Sequence, residues 1–148
     1  MRLWRLTKPE HAPGLDGEGA RLWGGRWNSP GLPMVYTSSS LSLAALEVLV
    51  HLPPMMRRKG GLPPFVAVAI DVPDEQIAEA GLGVDQDEQF TRAFGDAWLK
   101  QSASVGMSVP SRVIPLELNV LLNPRHPAMV MVNVVLAQPF VFDDRLAY

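Results

Sequence analysis

From Arg2 to Leu6 basic and apolar residues alternate, which is the pattern of a strand with one wet face. A polar, glycine-rich stretch over 7–21 predicts a loop, and PMVYT at 33–37 reads as a short strand. Ser38, Ser39 and Ser40 then offer N-caps for a helix. Leu41, Ala44, Ala45, Val48 and Leu49 mark one face of it, and Leu43, Leu46 and Val50 fill much of the rest. A helix apolar nearly all round is expected to be buried on most sides. Pro53 and Pro54 end it.

Further along, 65–72 is a β-rich run bounded by prolines, and 74–80 has the look of a short helix stopped by Gly81. Residues 87–101 predict an amphipathic helix, with Phe90, Ala93, Phe94, Ala97 and Trp98 keeping the 3.6 period. Candidate strands are 105–109, 112–118, 131–136 and 140–142, with a loop over 123–127. Many short strands with two or three helices, and no repeat or linker, predict one α+β domain over 1–148.

Composition narrows the function classes. At 148 residues, 47% hydrophobic and 19% charged, the chain can bury a sizeable core. The net charge is −2, and the basic stretch Arg57-Arg58-Lys59 reads as a solvated loop, so direct nucleic-acid binding is not expected. The absence of cysteine excludes disulfides and thiolate metal sites. His11, His51 and His126 lack metal-ligand spacing, so no metal is expected. The N-terminal stretch lacks a signal-peptide core, and the apolar run 128–142 is short for a bilayer and interrupted by polar residues. A cytoplasmic protein without membrane contact is expected.

Glu47 is the one acid between residues 24 and 52. A carboxylate buried without a partner is costly. Periodicity alone leaves two readings: Glu47 on the helix's wet stripe, paired with His51 at i+4, or Glu47 in a site. Upstream stands Gly24-Gly25-Arg26-Trp27, either a surface turn or a tight approach of backbone to a ligand, with an arginine suited to phosphate. Tyr36 closes the strand leading into the helix. Together an arginine for phosphate, an aromatic ring for a planar base and a carboxylate facing a sugar suit a dinucleotide. They suit cleavage of an N-glycosidic bond, whose oxocarbenium-like transition state a fixed carboxylate stabilises. Phosphate-loop, Rossmann, nucleophile-elbow and zinc-protease motifs are missing.

These residues carry a resemblance. WRL at 4–6, DGEGARLWGGRWNSPG at 16–31, MVYTSSSLSLAALEVLVHL at 34–52, VPSRV at 109–113 and NPRHP at 123–127 run in the order found in the RES domain family. That family comprises toxins of bacterial RES–Xre toxin–antitoxin pairs, and the matching stretches span essentially the whole chain. The family's Arg, Glu and Ser fall on Arg26, Glu47 and Ser111. The resemblance implies an α+β fold similar to diphtheria-toxin-type ADP-ribosyltransferases. It implies an enzyme that hydrolyses or phosphorolyses NAD, or transfers ADP-ribose to a protein.

Arg5, Arg26, Tyr36, Glu47 and Ser111 match positions of the family's NAD pocket. The roles inferred are pyrophosphate binding for Arg26 and Arg5, stacking on nicotinamide for Tyr36, and oxocarbenium stabilisation for Glu47. Ser111 would position the nicotinamide side or the ribose. Without the resemblance, Arg5 reads as the exposed face of an edge strand and Ser111 as a turn residue after Pro110. His126 reads as part of a rigid turn. The implied partner is a cognate Xre-type helix-turn-helix antitoxin that covers the pocket, and a homodimer is allowed. Many mono-ADP-ribosyltransferases carry Glu or Gln two residues before the catalytic Glu, where this chain has Ala45. That departure favours water or phosphate as acceptor over a protein. A non-catalytic nucleotide- or antitoxin-binding module is the remaining alternative.

Overall fold

The computed structural model describes residues 1–147. The proline-bounded run of small and β-branched residues becomes β3 (Phe65–Asp71). It pairs antiparallel with β1 (Arg2–Thr7) on one side and with β7 (Asn133–Phe140) on the other. Four more strands continue the sheet beyond β1: β2 (Val35–Ser38), β6 (Leu118–Leu122), β5 (Gly106–Pro110) and β4 (Ile77–Glu79). The order is β4-β5-β6-β2-β1-β3-β7, antiparallel except for the β4–β5 pair. Three α-helices occur among the described residues: α1 (Glu18–Trp23), α2 (Leu41–His51) and α3 (Glu88–Gln101). The α+β expectation holds.

Strand alternation sends apolar side chains to both faces of the sheet. Leu3, Val35, Val68, Ile70, Val120 and Leu122 form one buried cluster. Leu121, between two of them in sequence, turns the other way to join Met107, Val109, Trp98, Leu99 and Trp27. Between β1 and β2 the ladder shrinks to one pair, Trp4 opposite Ser38, and residues of both strands beside it line a cavity.

Helix α2 starts where the serines predict, with the Ser40 hydroxyl accepting from the Leu43 amide, and it ends just before the two prolines. It is less buried than its composition suggests. Only Leu43 and Ala44 are fully covered, because one face packs on β1 and β2 while another forms a cavity wall.

Four other expectations are corrected. The 7–21 stretch is not all loop, because α1 begins at Glu18. Residues 74–80 form a 3-10 turn (Asp74–Gln76) and then β4, whose parallel pairing with β5 overrides the local helical preference. Residues 112–118 are a turn, bent by the Ser111 hydroxyl accepting from the amides of Val113 and Ile114, and the strand begins only at Leu118. The last strand runs unbroken from Asn133 to Phe140 and includes Pro139, which is tolerated because β7 is an edge strand.

Helix α3 forms as expected, capped by the Asp87 carboxylate accepting from the Phe90 amide. Its buried face is shifted, however. Thr91, Gly95, Trp98 and Leu99 face inward, while Phe90, Ala93 and Ala97 are exposed. The small residues are inside because the Arg26 loop lies against them.

Candidate active site

The stretch from Gly24 to Ser29 is fastened on two sides. From α3, Thr91 Oγ1 donates to the Arg26 carbonyl at 2.6 Å, and Arg92 Nε donates to the Gly25 carbonyl at 3.2 Å. Asp96 accepts from the Ser29 amide at 2.8 Å. A Cβ on Gly95 would stand 1.7 Å from the Trp27 carbonyl oxygen, so only glycine lets the helix approach. From β2, the Tyr36 hydroxyl accepts from the Trp27 amide at 3.0 Å and donates to Asn28 Oδ1 at 2.6 Å. Asn28 is wholly buried, and its amide donates to the carbonyls of Ala20 and Leu32.

The two glycines serve this packing. Gly24 sits at φ +73°, a region closed to most L-residues, and a Cβ on Gly25 would meet the Tyr36 hydroxyl at 2.5 Å. The close approach is therefore to Tyr36. Burial pushes the Tyr36 phenol well above its usual range, so it stays a neutral donor.

Arg26 leaves this rigid loop with Nη2 donating to the Gln86 carbonyl at 2.8 Å. Arg5 is mostly buried on β1. Among the described residues its Nη2 reaches only Thr7 Oγ1, at 3.4 Å, and its buried Nε has no hydrogen-bond partner. Desolvation lowers its pKa, partly offset by the field of Asp16. A buried guanidinium left short of acceptors is costly until an anion arrives.

Glu47 is neither free nor paired with His51. Ser111 Oγ donates to Oε1 at 2.7 Å, and Asn119 Nδ2 donates to the same oxygen at 2.8 Å. His51 Nδ1 instead contacts the Glu47 backbone carbonyl at 2.7 Å. Ser111 is completely buried, with its hydroxyl also receiving the amides of Val113 and Ile114. It stands behind the carboxylate.

Arg5, Arg26, Tyr36 and Glu47 all line one cavity of about 690 Å³. Trp4, His51, Arg112 and Asn119 line it too. Its charged lining is three arginines against one glutamate, in a chain whose net charge is −2. Such a cavity favours an anionic ligand with one cationic or electron-poor centre near the carboxylate. No group of three or more His, Asp or Glu placed to hold a metal ion occurs among the described residues.

The RES domain model matches residues 2–143. The chain belongs to the RES domain family. It is 36% identical to Toxin Res of Photorhabdus laumondii, over 99% of this chain and 97% of that one. It is 34% identical to the Prs ADP-ribosylating toxin of Sphingobium sp. strain YBL2, over 97% of this chain and 94% of that one. Its fold is similar to a chain in the crystal structure of the M. tuberculosis MbcT–MbcA toxin–antitoxin complex. There the TM-score is 0.74 at 22% identity, covering 95% of this chain and 84% of that chain.

In this RES chain all five candidate residues fall within the matched span, and the fold gathers them from β1, the Arg26 loop, β2, α2 and the turn after β5. Asn119, Arg112 and the loop-holding face of α3 were not anticipated. The signal for Asn119 is a lone amide at the start of an apolar strand, LNVLL. Nothing local marks Thr91 or Gly95, which act on residues about 65 positions away.

Proposed function

We propose that this RES chain is the toxin of a toxin–antitoxin pair and that it breaks the nicotinamide–ribose bond of NAD. The carrying observation is Glu47: a carboxylate with one oxygen held by two donors, in a cavity whose other charges are arginines. NAD fits that charge pattern, with an anionic pyrophosphate at one end and a cationic nicotinamide at the other. Arg26 and Arg5 take the pyrophosphate, and the Tyr36 ring stacks on the nicotinamide. Ser111 acts by orienting Glu47, since its hydroxyl is committed there.

In the reaction the bond from the ribose anomeric carbon to the nicotinamide nitrogen breaks. Its electron pair stays with nicotinamide, which leaves neutral. The ribose gains oxocarbenium character, which the Glu47 charge stabilises. An oxygen of water or phosphate then bonds to the anomeric carbon and releases its proton, giving ADP-ribose or its phosphorylated form.

Ala45 favours water or phosphate as acceptor. The second reading is transfer to a protein, favoured by the name of the Sphingobium relative, an ADP-ribosylating toxin. Mass spectrometry of products from isotope-labelled NAD, with water, phosphate and cell lysate offered in turn, separates them. Free ADP-ribose or its phosphorylated form supports the first, and label on a protein supports the second. Intact NAD in all three overturns both.

The partner in this reading is an Xre-type helix-turn-helix antitoxin that covers the cavity, in the cytoplasm. Trp23 is 84% exposed immediately before the cavity-lining Gly24 and offers such a partner an aromatic anchor. A purified stoichiometric complex should neither bind nor consume NAD. A fully active complex would contradict this.

A further inference from the structure

The Glu47 carboxylate is held asymmetrically. Both side-chain donors, Ser111 Oγ and Asn119 Nδ2, reach Oε1, and among the described residues no hydrogen bond reaches Oε2. One oxygen is anchored, and the other is left without a hydrogen-bond partner among the described residues, on a side chain that lines the cavity. The two anchors differ in their own support. Ser111 is fixed by two backbone amides in its own turn. Asn119 lies on β6 directly opposite Ser38 on β2, and Ser38 Oγ donates to Asn119 Oδ1 at 2.7 Å.

An asparagine amide can point either way, and the two ways are chemically opposite. With Nδ2 toward Glu47 the amide donates to the carboxylate. Flipped, its oxygen would face another oxygen. Ser38, buried and donating to Oδ1, holds the amide in the donating orientation. A donor that is itself hydrogen-bonded is also a stronger donor.

We propose that Asn119, oriented by Ser38, is a positioning residue for the reaction: it fixes the rotamer of Glu47 so that Oε2 meets the ribose. The relay runs Ser38 to Asn119 to Glu47 and ties the end of β2 and the start of β6 to the middle of α2. Loosening it leaves a carboxylate in the cavity but spreads it over orientations that do not reach the developing charge. Turnover then falls while NAD still binds, because the arginines and Tyr36 are untouched. The inference rests on the reading of Glu47 as the oxocarbenium stabiliser.

The test is steady-state NAD consumption by Asn119→Ala, Asn119→Asp, Ser38→Ala and the Ser38→Ala/Asn119→Ala double variant, beside Glu47→Gln and with thermal melts. Asn119→Ala should lose about tenfold to a hundredfold in kcat, the scale of one hydrogen bond to a charged group. KM for NAD should stay within about twofold, because uniform binding is unaffected. Asn119→Asp keeps the shape and replaces the donor by an acceptor, so it should fall at least as far. Ser38→Ala should lower kcat less, and should lower it no further once Asn119 is already alanine.

A purely structural role predicts the opposite: lower melting temperatures with kcat retained, and additive effects. Folded Asn119→Asp at near wild-type kcat, beside a collapsed Glu47→Gln, overturns the positioning role alone. Glu47→Gln at near wild-type kcat overturns the Glu47 reading, and the positioning role falls with it. Should the Asn119 variants not fold, Ser38→Ala with unchanged kcat overturns the relay.

Discussion

Ser111 Oγ lies 2.7 Å from Glu47 Oε1, joining residues 64 positions apart in the chain. The same hydroxyl accepts two backbone amides, so it closes the turn after β5 and holds the carboxylate at once. Ser111→Ala should therefore do two things. Leaving buried amides without an acceptor should destabilise the fold by about 1–3 kcal/mol. Freeing Glu47 should also slow NAD turnover in the fraction that remains folded. A thermal melt beside a turnover assay checks both, and loss of neither would remove Ser111 from the site.

Much of this was legible in the sequence. The strands at 2–6, 33–37 and 65–72 and the helix capped by Ser40 follow from local signals, because β-rich runs bounded by prolines or polar residues and a serine cap before a long apolar run mark these elements without help from distant segments. The shape of the site was less legible. The Gly24-Gly25 pair fits a ligand approach equally well on paper, yet Gly25 is held small by the Tyr36 hydroxyl. Helix α3 reads as amphipathic through its phenylalanines, but the face that matters carries Thr91 and Gly95. Hydrophobic period cannot report a contact made by a hydroxyl or by a missing side chain. The link between Glu47, Ser111 and Asn119 depends on three distant segments meeting, which no local pattern encodes.

Gly95→Ala tests the fastening of the Arg26 loop. The added Cβ would overlap the Trp27 carbonyl, so α3 or the loop must shift. A destabilisation of about 1–3 kcal/mol is expected for such overpacking, together with weaker NAD binding because Arg26 moves with the loop. Calorimetry and a denaturant melt read the two effects, and an unchanged protein would mean the loop is free to yield.

Arg5 separates stability from binding. Replacing a buried, under-partnered guanidinium by an apolar chain of similar length is often neutral or stabilising. Arg5→Met should hold or raise the melting temperature of the free protein. The rise in melting temperature on adding NAD should shrink, because the pyrophosphate loses a cation. A strong loss of stability without NAD would contradict this assignment.

Tyr36 predicts a pH dependence. Burial raises its phenol pKa in the fold, while the unfolded chain keeps a value near ~10. Above that pH the unfolded state binds fewer protons than the native state, so stability falls as pH rises. Below it the contribution is fully present. Denaturant midpoints measured across this alkaline range should decline less steeply in Tyr36→Phe than in the wild type. Tyr36→Phe should also be less stable at neutral pH by about 1–3 kcal/mol, because the Trp27 amide and Asn28 lose their partner.

Glu47→Gln asks most directly whether this cavity is catalytic. Glutamine keeps the shape and one acceptor oxygen and removes the charge, so Ser111 and Asn119 retain partners while the oxocarbenium ion loses its counter-charge. The measurement is NAD consumption by the purified variant at saturating NAD, beside a thermal melt. The expected result is a normal melt and a loss of turnover on the order of a hundredfold or more, as for removal of one preorganised electrostatic group. A variant that melts normally and turns over NAD near the wild-type rate would contradict the assignment of Glu47.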